Sequence, residues 1–224
     1  MSVHGLSFDL QILNVLASCL LLLSFSMLAQ RRIVTLVNML ATQGVLLCMA
    51  TLLLAWRTGE GHLYLSAALT LALKVIGLPW LLHRLIGRLG VYWDTESLIN
   101  PSGTMLIGLA VVIFSFGLAQ PISALASTAT RSTIGIAIAV ILLAFLTMIT
   151  RRKAMSQVVG FLSMENGLFF GAMSTTYGMP MVVELGVALD VLVAMLVLGV
   201  FFFQIREQFD SLDLHHFETL KEEE

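Results

Sequence analysis

The sequence predicts an all-α membrane protein, a bundle of about seven transmembrane helices. Three observations carry that expectation. The 224 residues are 58% hydrophobic and only 12% charged, against roughly 25% charged in an ordinary soluble domain. The mean hydropathy is +0.94. The apolar residues are also gathered into runs of about 20, the length of helix needed to cross about 30 Å of hydrocarbon. No soluble domain of any size is evident, so the lipid bilayer is the solvent against which the chain folds.

Seven runs qualify, at about 10–29, 33–55, 63–82, 103–120, 132–150, 157–175 and 180–203. Together they make residues 1–203 a transmembrane domain and 204–224 a polar tail. In the first run, Leu16-Ala17-Ser18-Cys19 superficially fits a lipoprotein cleavage box. However, no lysine or arginine precedes it, and the apolar stretch continues as LLLLSFSMLA, so the segment reads as a retained helix. The second run begins after Arg31 and Arg32. The third holds Lys74, with Pro79 five positions on; a proline there removes the bond to the Val75 carbonyl and lets the helix bend. The fourth is the shortest and follows the turn sequence Asn100-Pro101-Ser102-Gly103. The fifth stops at Arg151-Arg152-Lys153, the sixth contains Glu165, and the seventh contains Glu184 and Asp190.

Basic residues set the orientation, because cytoplasmic links are enriched in lysine and arginine. Nine of the twelve fall on one side: Arg31, Arg32, Arg84, Arg88, Arg151, Arg152, Lys153, Arg206 and Lys221. Only Arg57 and Arg131 fall on the other, and Lys74 is within a span. The N-terminus is therefore expected outside and the C-terminus in the cytoplasm. The net charge of -2 carries no such information.

A weak duplication relates the first three spans to the last three, giving a 3+1+3 parallel repeat. SMLAQRRIVTLVNMLATQGVLLCMA and TMITRRKAMSQVVGFLSMENGLFFGAM share a basic pair and a polar interruption before Gly44 or Gly167. LTLALKVIGLPWLL matches LGVALDVLVAMLVL, with Lys74 falling on Asp190.

The ionisable residues at mid-depth are the chemical signal. Glu165, Lys74 and Asp190 each lie ~10–17 Å from a membrane surface by their place in the spans, and Glu184 is farther out on span seven. A charge at a helix centre costs about 2.5–3.5 kcal/mol even on the lower insertion scales. One base cannot neutralise three acids, so at least one carboxyl is protonated, hydrated or paired outside the chain. Desolvation disfavours the charged form of a carboxyl and of an amine alike, which suits both to exchanging protons. The bland alternative is that Lys74 locks to Glu165 or Asp190 as a packing bridge. Six residues turn a helix about 600°, so Glu184 and Asp190 point about 120° apart and face different neighbours.

Other features exclude chemistry. Cys19 and Cys48 lie in apolar runs and form neither a disulfide framework nor a metal site. The twelve methionines show no regular clustering and read as core filler. His215 and His216 sit in the polar tail, and His83 at a membrane edge. With no phosphate loop, nucleophile triad, CxxC or Cys/His cluster, the chain is expected to carry no cofactor, no metal and no catalytic site of its own. Nothing in it points to nucleic acid.

The runs RRKAMSQVVGFLSMENG, VVELGVALDVLVAML and SLDLHHFETLK, with ALTLALKVIGLP in the first half, resemble hydrogenase-4 component E over nearly the whole chain. That family supplies a membrane-arm subunit of formate-hydrogenlyase-type complexes. The last three spans also resemble, more distantly, the K-type subunit of respiratory complex I and the C-type subunit of cation/proton antiporters. Glu165 and Asp190 match the acids of their second and third helices, although the second acid here is Asp rather than Glu and the first repeat has Lys74 instead of a counterpart to Glu165. The resemblance implies a non-catalytic subunit in a bacterial inner membrane, between a redox-arm anchor and an antiporter-like subunit. A cytoplasmic redox arm would drive proton or sodium movement, with Glu165, Asp190, Lys74 and Glu184 in a lateral proton path. The tail would dock on a partner through Phe209, Leu212, Leu214, Phe217 and Leu220. The alternatives are a purely structural bridging subunit and a stand-alone ion transporter.

Overall fold

The computed structural model describes residues 8–59, 61–89, 92, 100–125 and 130–176. Among them every long element is helical: α1 Phe8–Ala29, α2 Ile33–Thr58, α3 Gly61–Thr70, a π-helical segment Leu71–Gly77, α4 Leu78–Leu89, α5 Pro101–Leu125, α6 Thr130–Thr150 and α7 Ala154–Thr176. α3, the π segment and α4 follow one another without a break and make one rod. The described residues belong to the unit Met1–Val187. The seventh predicted span, the tail, Glu184 and Asp190 lie outside the described residues.

Among the described residues five helices are long and apolar enough to cross a membrane: Phe8–Ala29, Ile33–Thr58, Leu63–Gly87, Pro101–Pro121 and Thr133–Thr150. The chain is a polytopic membrane protein. α7 matches them in length, but its Gln157, Glu165 and Asn166 make it more polar. The segment Asn100-Pro101-Ser102-Gly103, expected as a turn, instead begins α5. Pro101 is the first helical residue, where a missing N–H costs nothing, and the Asn100 carbonyl accepts the Thr104 N–H at 2.9 Å.

Within this unit α6 packs on α7, α5 and α1, while α2 packs on α1, α7 and the α3–π–α4 rod. Leu16, Leu20, Leu47, Leu54, Val140, Phe170 and Met173 belong to one buried apolar cluster. Several hydroxyls within the helices return to their own backbone: Thr51 and Thr147 donate to the Leu47 and Leu143 carbonyls, each at 2.9 Å.

The end of α1 is closed by a residue from elsewhere. Arg151, read from sequence as an orientation charge, is buried. Its guanidinium donates to the carbonyls of Met27, Leu28 and Gln30. These are among the last carbonyls of a helix, which lack the N–H four residues on and carry the negative end of its dipole. Gln157 donates in turn to the Arg151 carbonyl at 2.9 Å.

Candidate functional site

Glu165 lies midway along α7 and Lys74 in the middle of the π segment. The two meet. Lys74 Nζ is 3.1 Å from Glu165 Oε1, and both side chains are 3% exposed. Nζ also donates to Asn166 Oδ1 at 3.1 Å and lies 5.1 Å from the centre of the Phe169 ring. Two hydrogen bonds and a cation–π contact offset the desolvation of the ammonium.

Asn166 extends the cluster across the bundle. Its Nδ2 donates to Gln43 Oε1 at 3.2 Å. Gln43 Nε2 donates to Ser24 Oγ at 2.9 Å and Ser163 Oγ at 3.1 Å. The Ser24 hydroxyl is itself committed as a donor to the Leu20 carbonyl at 2.9 Å, so toward Gln43 it accepts. Every bond therefore runs in one direction, away from Lys74: ammonium to Asn166, Asn166 to Gln43, Gln43 to serine. The chain joins α7, α2 and α1 to the π segment. Among the described residues it is a fully buried polar layer.

Backbone geometry sets the lysine. In the π segment the Leu78 N–H reaches back five residues to the Leu73 carbonyl. Pro79 follows directly on this bond, at the second residue of α4. π segments recur where a side chain is re-aimed at a functional site. α2 comes against this turn because residue 44 is glycine: a Cβ there would lie 3.2 Å from the Lys74 Cβ and 3.3 Å from its carbonyl oxygen. Gly167 likewise lets α7 close on α6, where a Cβ would lie 2.9 Å from Val140.

Of the four predicted site residues, the structure joins Lys74 to Glu165, while Asp190 and Glu184 lie outside the described residues. Gln43, Asn166, Ser24, Ser163 and Phe169 were not predicted as site residues. The polar interruptions before Gly44 and Gly167 contained the signal, because they are Gln43 and Asn166, which bond to each other. Among the described residues no three His, Cys, Asp or Glu side chains gather as a metal site would require.

Fold and site together define a helical membrane protein built around a buried, hydrogen-bonded lysine–glutamate pair. The chain is 34% identical over 207 residues to a Mycobacterium tuberculosis protein described as uncharacterized protein Rv0085, covering 92% of this chain and 94% of that one. It belongs to the family of that protein. It is also 22% identical over 210 residues to hydrogenase-4 component E of Escherichia coli, covering 94% of this chain and 97% of that one, and equally similar to hydrogenase-4 component E of Shigella flexneri. No family model matches the chain, and no solved structure matches it.

Proposed function

We propose that the chain is a non-catalytic membrane-arm subunit of a hydrogenase-4-like or complex-I-like assembly, in which Lys74 and Glu165 form part of a lateral proton path. The observation that carries this reading is the mid-helix pair at 3.1 Å, buried on both sides. An intramembrane ionisable pair defaults to function, because its cost is otherwise avoidable. The likeness to hydrogenase-4 component E along nearly the full chain supplies the setting. Redox chemistry belongs to partner subunits, and this chain bridges the anchor of their cytoplasmic arm and an antiporter-like subunit.

The fuller form of the reading has seven spans, a 3+1+3 repeat, the N-terminus outside and the C-terminus in the cytoplasm of a bacterial inner membrane. Residues 1–203 form the membrane domain and the tail docks on the cytoplasmic arm. The path continues from the pair to Asp190, with Glu184 as its outer member. The bond between Gln43 and Asn166 supports the repeat, since the two precede the matched glycines. Protons pass by exchange between neighbouring buried groups, which titrate as a coupled set.

A second reading, a structural bridge between helices, is favoured by the closeness of Lys74 to Glu165, Asn166 and Phe169. The two readings separate in the assembled complex. With Glu165→Gln, assembly should persist and redox-driven pumping should be lost; full pumping by that variant would rule out a protonic role. On the structural reading, Lys74→Met combined with Glu165→Gln should assemble and pump normally.

A further inference from the structure

A crevice beside the ion pair is lined by Leu40, Lys74, Leu78, Leu162, Glu165 and Asn166 and offers ≈ 10 Å³ for the centre of a water molecule. That is about the room one water needs, and a water is held where two to four polar partners converge. Here the Lys74 ammonium, the Glu165 carboxylate and the Asn166 amide converge.

The three leucines fix which way the crevice runs. Gly44 is level with Lys74, as their close approach shows. Leu40 is about one turn, ~6 Å, from Gly44 toward Arg31 and Arg32. Leu78 is the same distance from Lys74 toward Arg84, and Leu162 is slightly less from Glu165 toward Arg151. Three separate helices thus place the crevice on the arginine side of the pair. On the other side lie the Phe169 ring, 5.1 Å from Nζ, and the packed cluster of Leu47, Leu54, Phe170 and Met173. The flank toward α1 is closed to protons in another way. Its links are the amides of Asn166 and Gln43, whose N–H groups donate hydrogen bonds but do not release protons near neutral pH.

We infer that the crevice is a water site through which Lys74 and Glu165 exchange protons with the arginine-bearing end of the bundle, Leu40, Leu78 and Leu162 forming its apolar collar. This rests on the relay reading above and adds its sidedness. The water gives one proton to the Glu165 carboxylate while taking one from solvent at the arginine end, so its own composition is unchanged.

Silver-ion trapping of single cysteines tests the route in the full chain in its membrane, with Cys19→Ala and Cys48→Ala as background. Leu162→Cys and Leu40→Cys report the collar, and Leu47→Cys reports the packed side. Arg152→Cys, at an exposed position, identifies the arginine face of sealed vesicles. Thiols that survive silver are counted by alkylation after denaturation. At least one collar cysteine should be trapped from the Arg152 face on the order of tenfold faster than Leu47→Cys, because silver reaches a thiolate only through water. From the opposite face it should be no faster. Collar cysteines that both match Leu47→Cys, or that react faster from the opposite face, overturn the inference. Trapping reads water rather than pumping, so full pumping by Glu165→Gln would defeat the relay and leave a positive trapping result standing.

Discussion

A lysine and a glutamate buried in lipid are held by each other, and that dependence is measurable. Removing one partner of a buried pair typically costs about 3–5 kcal/mol, because the survivor stays charged without its counter-ion. Lys74→Met should therefore lower stability by about that amount, read by unfolding in mixed micelles. Lys74→Met with Glu165→Gln should recover most of the loss, the strained charge having gone with its partner. Gln43→Leu removes the acceptor for Asn166 and the donor to two serines, and should cost about 1–3 kcal/mol in the same assay. The charged pair was legible in sequence because a charge in an apolar run is expensive wherever it points. Gln43 and Asn166 were visible only as polar interruptions. An uncharged amide costs less to bury, and its partners depend on helix rotation rather than on spacing along the chain.

The described helices reach beyond the apolar runs, most of all at the third, where α4 continues past residue 82 to Leu89, because the thickness of the hydrocarbon sets only the length that must be apolar. The π segment did not show in LALKVIG, which has nothing to distinguish it from an α-helical run. Its setting combines Pro79, which withholds a donor, with Gly44, where a Cβ would lie 3.3 Å from the Lys74 backbone. Gly44→Ala forces α2 away from backbone atoms that cannot swing aside, and should destabilise by about 1–3 kcal/mol. It should also lengthen the Lys74–Glu165 distance in a structure of the variant. Arg151 was legible as an orientation charge but not as the cap of α1, a contact between residues 121 to 124 positions apart. Arg151→Ala should loosen the end of α1, with faster amide exchange at Met27 to Gln30 and a loss of about 1.5–3 kcal/mol for hydrogen bonds from a charged group. Arg151→Lys should restore only part of this, because the three bonds come from Nη2, an atom farther along the side chain than a lysine ammonium reaches.

At the scale of the molecule, charge and polarity are graded along the bundle. One end carries Arg31, Arg32, Arg84, Arg151 and Arg152, the middle holds the Lys74–Glu165–Asn166–Gln43 layer, and the packed apolar cluster lies beyond. At the far end Arg57 is 4.0 Å from Asp9, which offsets its charge there. The membrane class followed from composition and the lengths of the apolar runs, and the sequence placed Glu165, Lys74 and Asp190 at one depth, of which Asp190 lies outside the described residues. How the layer branches across four elements was not legible, because it depends on which helices are neighbours. The proposed relay requires that Glu165 change protonation during turnover instead of remaining a fixed counter-ion. Redox-triggered infrared difference spectroscopy on the assembled complex reads this directly. A carboxyl C=O band should appear or vanish on turnover, shift in heavy water, and be absent from Glu165→Gln. A difference spectrum in the carboxyl region identical in the parent complex and in Glu165→Gln would contradict the claim.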